Sequence, residues 1–179
     1  ETLKATYEYA DPTKVTEDDI KGGIDSATGK RKGFELLRDG FNLYGADAKI
    51  LICPEFDKTA SCAAALTTLA EQLKAVAYVQ LPKGTGLSDA IKGRGPLGTI
   101  NASASTERAR HFFPYAIGSS NTLESLAVHA AGLRMKTDTE NGYWFSTSNR
   151  PLQGVIGMEI PLTARVDDEQ SETNQLNAV

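Results

Sequence analysis

Two histidines, two cysteines and two clusters of acids are the residues through which this sequence could do chemistry. An activated serine nucleophile needs a histidine within hydrogen-bond reach, so His111 and His129 are the only candidates for a general base. Their settings argue against that use. His129 falls inside an apolar-periodic stretch, where a packed or half-exposed ring is expected. His111 opens an expected strand, as a surface residue at its end. No G-x-S-x-G elbow occurs. Cys53 and Cys62 make no Cys-x-x-Cys, and together with the histidines they match no zinc spacing. Catalytic, cofactor-binding and metal-ligating residues are all expected to be absent.

Gly93-Arg94-Gly95-Pro96-Leu97-Gly98 fits G-x-G-x-x-G letter for letter. A dinucleotide loop follows a strand and opens a helix, so that free N–H groups face the pyrophosphate. Here no strand precedes the motif, no clear helix follows, and Pro96 removes one of those N–H groups. The motif reads as a glycine-rich surface loop. No G-x-x-x-x-G-K-[ST] occurs, so nucleotide hydrolysis has no visible machinery. Glu17-Asp18-Asp19 and Asp167-Asp168-Glu169 could do acid–base work or hold a hard cation, but in polar loops they are expected to be solvated faces. Lys30-Arg31-Lys32 is too short for a nucleic-acid patch. Asn101-Ala102-Ser103 fits a glycosylation triplet with nothing beside it to suggest secretion.

The elements that would position these groups emerge from the apolar pattern. The first 47 residues are glycine-rich and uneven. Thr6-Tyr7-Glu8-Tyr9 alternates like a strand, and Asp11-Pro12, Gly22-Gly23 and Thr28-Gly29-Lys30-Arg31 mark turns. Phe34, Leu37, Phe41 and Tyr44 predict a short helix ending near Gly45. From Ile50 to Cys53 a continuous apolar run predicts a strand buried on both faces. Thr59 then caps a helix with the stripe Cys62, Leu66, Leu69 and Leu73, and Val76–Leu81 is the next strand. Strand, helix and strand over about 30 residues make a βαβ unit with parallel pairing.

Beyond it, Ser88–Lys92 allows one or two helical turns, and His111–Ile117 predicts another strand, with Pro114 at an edge or bulge. Asn121 and Glu124 predict a capping-box start for a helix with the stripe Leu123, Leu126 or Ala127, Ala130 and Leu133. Its Ala130-Ala131-Gly132 stretch is thin enough for a close neighbour. Val155–Ile160 reads as a last strand. The fold class is α/β, a mostly parallel or mixed sheet covered by helices, with an irregular β-containing N-terminal segment. Between the last helix and strand, Tyr143-Trp144-Phe145 sits among Asp, Asn and Ser. The rings are expected to pack on the sheet as a rigid corner anchored by Trp144, with a contact surface as the alternative.

Composition narrows the classes further. The 179 residues carry 19 Lys plus Arg against 23 Asp plus Glu, a formal charge of −4. A pI near 5.2 gives no basic footprint for nucleic acid. No apolar run nears the ~20 residues of a membrane span. Glu1-Thr2-Leu3-Lys4 does not read as a signal peptide.

A series of motifs in order resembles the contractile tail sheath proteins of bacteriophages, of the type in Mu-like and P2-like phages and related pyocins. Asn42-Leu43-Tyr44-Gly45 followed by Lys49-Ile50-Leu51-Ile52-Cys53-Pro54 resembles the lead into that family's core domain. Leu73-Lys74-Ala75-Val76-Ala77-Tyr78-Val79 and Tyr115 after its Pro resemble strands of the family. Ala131-Gly132-Leu133-Arg134-Met135-Lys136-Thr137-Asp138, Gly142-Tyr143-Trp144, Ser148-Asn149, Gly154-Val155 and Asn174-Gln175-Leu176-Asn177 continue the series.

The resemblance implies a non-enzymatic structural subunit with a subtilisin-like core that lacks protease chemistry. It implies partners: other sheath subunits, the tail tube and the baseplate, in a sheath assembled in the host bacterial cytoplasm. In such sheaths, subunits stack as rings around the tube, terminal arms add strands to neighbours, and shortening drives the tube through the host envelope. One sheath core domain is expected over 1–179: an irregular lead-in at 1–47, an α/β core at 48–165, and a polar tail at 166–179 toward a missing C-terminal domain. The chain lacks a first Met and ends in an open polar run, so it is expected to be a fragment, and a monomer without its arms. The alternative is a small α/β hydrolase or nucleotide-binding enzyme, resting on the glycine loop and fold class alone.

Overall fold

The computed structural model describes residues 9–93 and 107–160. Thr6-Tyr7-Glu8, Arg94–Gly98, Asn101-Ala102-Ser103, Asp167-Asp168-Glu169 and the 166–179 tail lie outside the described residues. Asp11 accepts the Thr13 N–H at 3.1 Å and caps a single 3-10 turn, Pro12–Lys14. Helix α1 (Glu17–Lys21) follows. Glu17-Asp18-Asp19 is therefore the first turn of a helix and not a loop. The Asp19 carboxylate accepts the Thr16 N–H at 2.9 Å while the Thr16 hydroxyl accepts the Asp19 N–H, a reciprocal cap. Gly22, at φ 65°, lies so close to the Lys32 carbonyl that no side chain fits there.

Strands β1 (Gly23–Ile24) and β2 (Arg31–Lys32) form a hairpin. A 3-10 helix at Gly33–Asp39 runs into α2 (Gly40–Tyr44), closed by Gly45 in the left-handed region at φ 70°. The alternating part then begins: β3 (Ile50–Ile52), α3 (Ala60–Leu73), β4 (Val76–Gln80), α4 (Leu87–Gly93) and β5 (Ala109–Phe112). The chain ends its described part with β6 (Ala116–Gly118), β7 (Leu123–Glu124), α5 (Leu126–Asn141) and β8 (Val155–Met158). Strands β3, β4 and β5 pair in that order, both pairs parallel, with Ile50 opposite Val76 and Ala77 opposite Ala109. A second, antiparallel sheet has the order β7-β6-β8. The class is α/β, with separate parallel and antiparallel sheets.

Alternation along β4 sets the layers. Side chains on a strand point to opposite faces in turn. Ala77 and Val79 pack with Leu51, Cys53, Ala63, Leu66, Leu69 and Ala70 on the α3 side. Val76 and Tyr78 meet Ala127 and Ala131 on the α5 side. The thin stretch of α5 admits Tyr78 at Ala131, while Gly132 points into open space. Helix α3 forms as its sequence suggests: the Thr59 hydroxyl accepts the Cys62 N–H, and Lys74 ends the helix in the left-handed region at φ 53°.

Three expectations are corrected. The run at Ile50–Cys53 is not buried on both faces, because β3 is an outer strand and Ile52 remains 40% exposed. His111–Ile117 is not one strand. It divides into β5 and β6 of different sheets around a cis Phe113–Pro114 bond, at a residue with no N–H for a ladder. Helix α5 does not start at Asn121 with a capping box. Asn121 turns at φ 59°, and Leu123 pairs with Ile117. Ser125, the residue before the helix, makes no side-chain bond to its own first turn.

Candidate functional site

In a parallel α/β sheet, chemistry gathers at the carboxyl ends of the strands. Here that end holds Cys53 after β3, Asp57 before α3, Gln80 closing β4, and Ser125 before α5. Asp57 is 2% exposed and its Oδ2 accepts the Gln80 backbone N–H at 2.9 Å. Burial pushes the carboxyl up to about 6, against the lowering effect of that bond. Cys53 is pushed up to about 12, chiefly by burial and secondarily by the Asp57 charge. A thiol so held is no thiolate nucleophile at neutral pH. Burial also raises the Tyr115 phenol.

The Gln80 amide joins three elements. Its Nε2 donates to the Phe112 carbonyl at 3.1 Å, and its Oε1 accepts the Ala127 N–H at 3.2 Å and the Ser125 hydroxyl at 3.4 Å. One of the orphan N–H groups at the start of α5 is thus satisfied from β4. The polar groups here hold helix, strand and loop together.

His129, in α5, pairs its Nε2 with Glu124 Oε2 at 2.8 Å. The Ser125 hydroxyl, one turn before it, turns to Gln80 instead. His111 lies within β5 opposite Val79 and is buried, not a surface residue at a strand end. The two histidines therefore sit in different elements. Among the described residues no group of three or more His, Cys, Asp or Glu could hold a metal ion, and no helix is long and apolar enough to cross a membrane.

The conspicuous surface lies elsewhere. Trp144 is 71% exposed and Tyr143 80% exposed, so Trp144 does not anchor a buried corner. The reason is Arg134. Its guanidinium donates to the Tyr143 carbonyl at 3.0 Å and the Phe145 carbonyl at 2.7 Å, and also pairs with Asp138. With the backbone drawn toward the helix, the rings point outward. The Tyr143 and Trp144 rings meet edge to face at 5.1 Å. Gly142, at φ 97°, lies directly under the indole, where a Cβ would come within 2.6 Å of ring atoms. Met135 is exposed as well, and Phe41, Leu43 and Tyr44 expose a second apolar group on α2. These exposed apolar side chains are candidates for contact surfaces. Sequence reading missed the buried role of Asp57 and Gln80, since neither lies in a motif; Gln80 as the only strong acceptor in a strand of apolar residues was the available signal.

No family model matches the chain. It is 48% identical, across 97% of its residues, to a tail sheath protein of Burkholderia phage BcepMu. It is 29% identical, across 95% of its residues, to a prophage major tail sheath protein of Pseudomonas aeruginosa. The chain spans 37% of the length of the first relative and 43% of the second.

Proposed function

We propose that this chain, a relative of phage and prophage tail sheath proteins along nearly all its length, is a structural part of a contractile tail sheath. Its similarity to the phage protein carries that reading. In it, residues 48–165 are the α/β core of a longer subunit and residues 1–47 lead into that core. Identical subunits pack around a tail tube above a baseplate, and the sheath shortens to drive the tube into the host. Assembly takes place in the host bacterial cytoplasm, and no catalysis is involved.

The physical features agree with a scaffold. Asp57, Gln80 and Ser125, where an enzyme of this class would react, are bound to one another and to the backbone of three elements. The exposed apolar groups at α2 and after α5 supply surfaces for neighbours. Disrupting the gene that encodes the chain, then imaging the released particles, tests the reading. Tails with bare tubes and no sheath are expected; normally sheathed tails would overturn it.

A further inference from the structure

Asn141-Gly142 is the one Asn-Gly pair in the sequence, and it falls where α5 stops. An asparagine side-chain amide is open to attack by the backbone nitrogen of the next residue. Glycine, with no Cβ, obstructs that approach least. In this step the Gly142 nitrogen loses its proton and bonds to Asn141 Cγ, the Cγ–Nδ2 bond breaks, and ammonia carries the proton away. Water then opens the resulting succinimide at either carbonyl, leaving aspartate or isoaspartate at position 141. Water is the only other reactant, and both residues are half-buried, so water reaches them. Three features of the fold oppose the attack, which needs the reacting atoms ~3–3.5 Å apart and aligned. Asn141 is the last residue of α5, and a helical ψ near ~−42° turns the next nitrogen away from the side-chain carbonyl. The Gly142 N–H donates to the Asp138 carbonyl at 3.1 Å, so the nucleophile is already engaged. The Arg150 guanidinium donates to Asn141 Oδ1 at 2.7 Å and fixes the amide in place.

We propose that Asn141–Gly142 is a latent deamidation site, and that Arg150 is the clasp that keeps it closed while the loop after α5 stays folded back on the helix. Arg150 lies at the far end of that loop, so its bond to Asn141 ties the two ends together. The bond is charge-assisted, and its loss is worth about tenfold in the rate of a step it restrains. The consequence falls on the aromatic turn. Isoaspartate adds a backbone carbon directly before Gly142, which lies against the Trp144 indole with no room for a Cβ. The same insertion displaces the Tyr143 and Phe145 carbonyls from the Arg134 guanidinium that holds them. The site stands on the local geometry alone and is independent of the proposed structural role.

The test follows residue 141 by peptide mass spectrometry in the longer subunit proposed to contain these residues, incubated at mildly alkaline pH. Labelling by an isoaspartate methyltransferase reports the isoaspartyl product. The same protein unfolded in urea gives the unrestrained rate, and Asn141→Gln gives the background. Folded wild type is expected to convert more than about tenfold more slowly than the unfolded chain. Arg150→Ala, with an unchanged melting midpoint, is expected to convert about tenfold faster than folded wild type. Arg150→Lys keeps the charge but not the planar fork, and repeats that arm with a smaller acceleration if Arg150→Ala does not fold. Equal rates for folded and unfolded wild type would overturn the proposal. So would an Arg150→Ala variant that converts no faster than wild type. A slower one would show that the guanidinium polarises the amide toward attack, and would overturn it equally. Sheathed or bare tails after gene disruption report on the structural role separately.

Discussion

The Asp57 carboxylate accepts the backbone N–H of Gln80 at 2.9 Å from a position almost wholly out of water. One bond to a neutral amide does not replace the hydration an ionised carboxylate gives up, so burial dominates and its pKa rises to about 6. An unfolded Asp titrates near ~3.9. Between those values the folded chain binds more protons than the unfolded one. Stability therefore falls as pH rises through that window, by on the order of 2–3 kcal/mol, and stays lower above it. Asp57→Asn keeps an acceptor for Gln80 and carries no charge. Urea unfolding from pH 4 to 7 should show a flatter profile for the variant, with its gain largest at pH 7; parallel profiles would contradict the assignment.

Gln80 offers a sharper contrast. Gln80→Ala leaves the Ala127 N–H and the Phe112 carbonyl without the amide, in a buried place, and should cost about 2–4 kcal/mol. Ser125→Ala removes only a 3.4 Å bond and should cost under about 1 kcal/mol. Chemical denaturation of both variants checks the ratio. Equal costs would mean that Gln80 does not hold the start of α5.

Much of the α/β core was legible because its signals are local. The apolar run at Ile50, the stripe Cys62-Leu66-Leu69 and the cap at Thr59 each lie within a few residues of what they specify. Where a distant residue decides, the sequence was silent. Helix α5 begins at Leu126 and not at Asn121, with its Ala127 N–H satisfied by Gln80, 47 positions earlier. Trp144 faces outward because Arg134 holds the carbonyls on either side, which hydrophobicity alone does not reveal. Asp57 reads as an ordinary turn acid until the fold buries it.

Leu66 is fully buried between α3 and the sheet, among Leu51, Ala77 and Val79. Leu66→Ala should cost about 2–5 kcal/mol, depending on how far the site collapses. Trp144→Ala, at an exposed ring, should change stability by no more than about 0.5 kcal/mol. Thermal unfolding of the pair distinguishes core from surface directly. A large loss at Trp144 would restore it as a packing anchor.

The Ser125 hydroxyl bonds Gln80 and His129 bonds Glu124, an arrangement without an activated serine between them. A serine-reactive probe should leave the chain unlabelled. Stoichiometric labelling of one serine, abolished by His129→Ala, would show an enzyme instead.

The structural role is tested most directly by negative-stain microscopy of the longer subunit proposed to contain these residues, purified without cofactor or other tail components. Long tubes of stacked rings are the expected result. A protein that remains as dispersed single particles at all concentrations, with no tubes or rings, would contradict a sheath function.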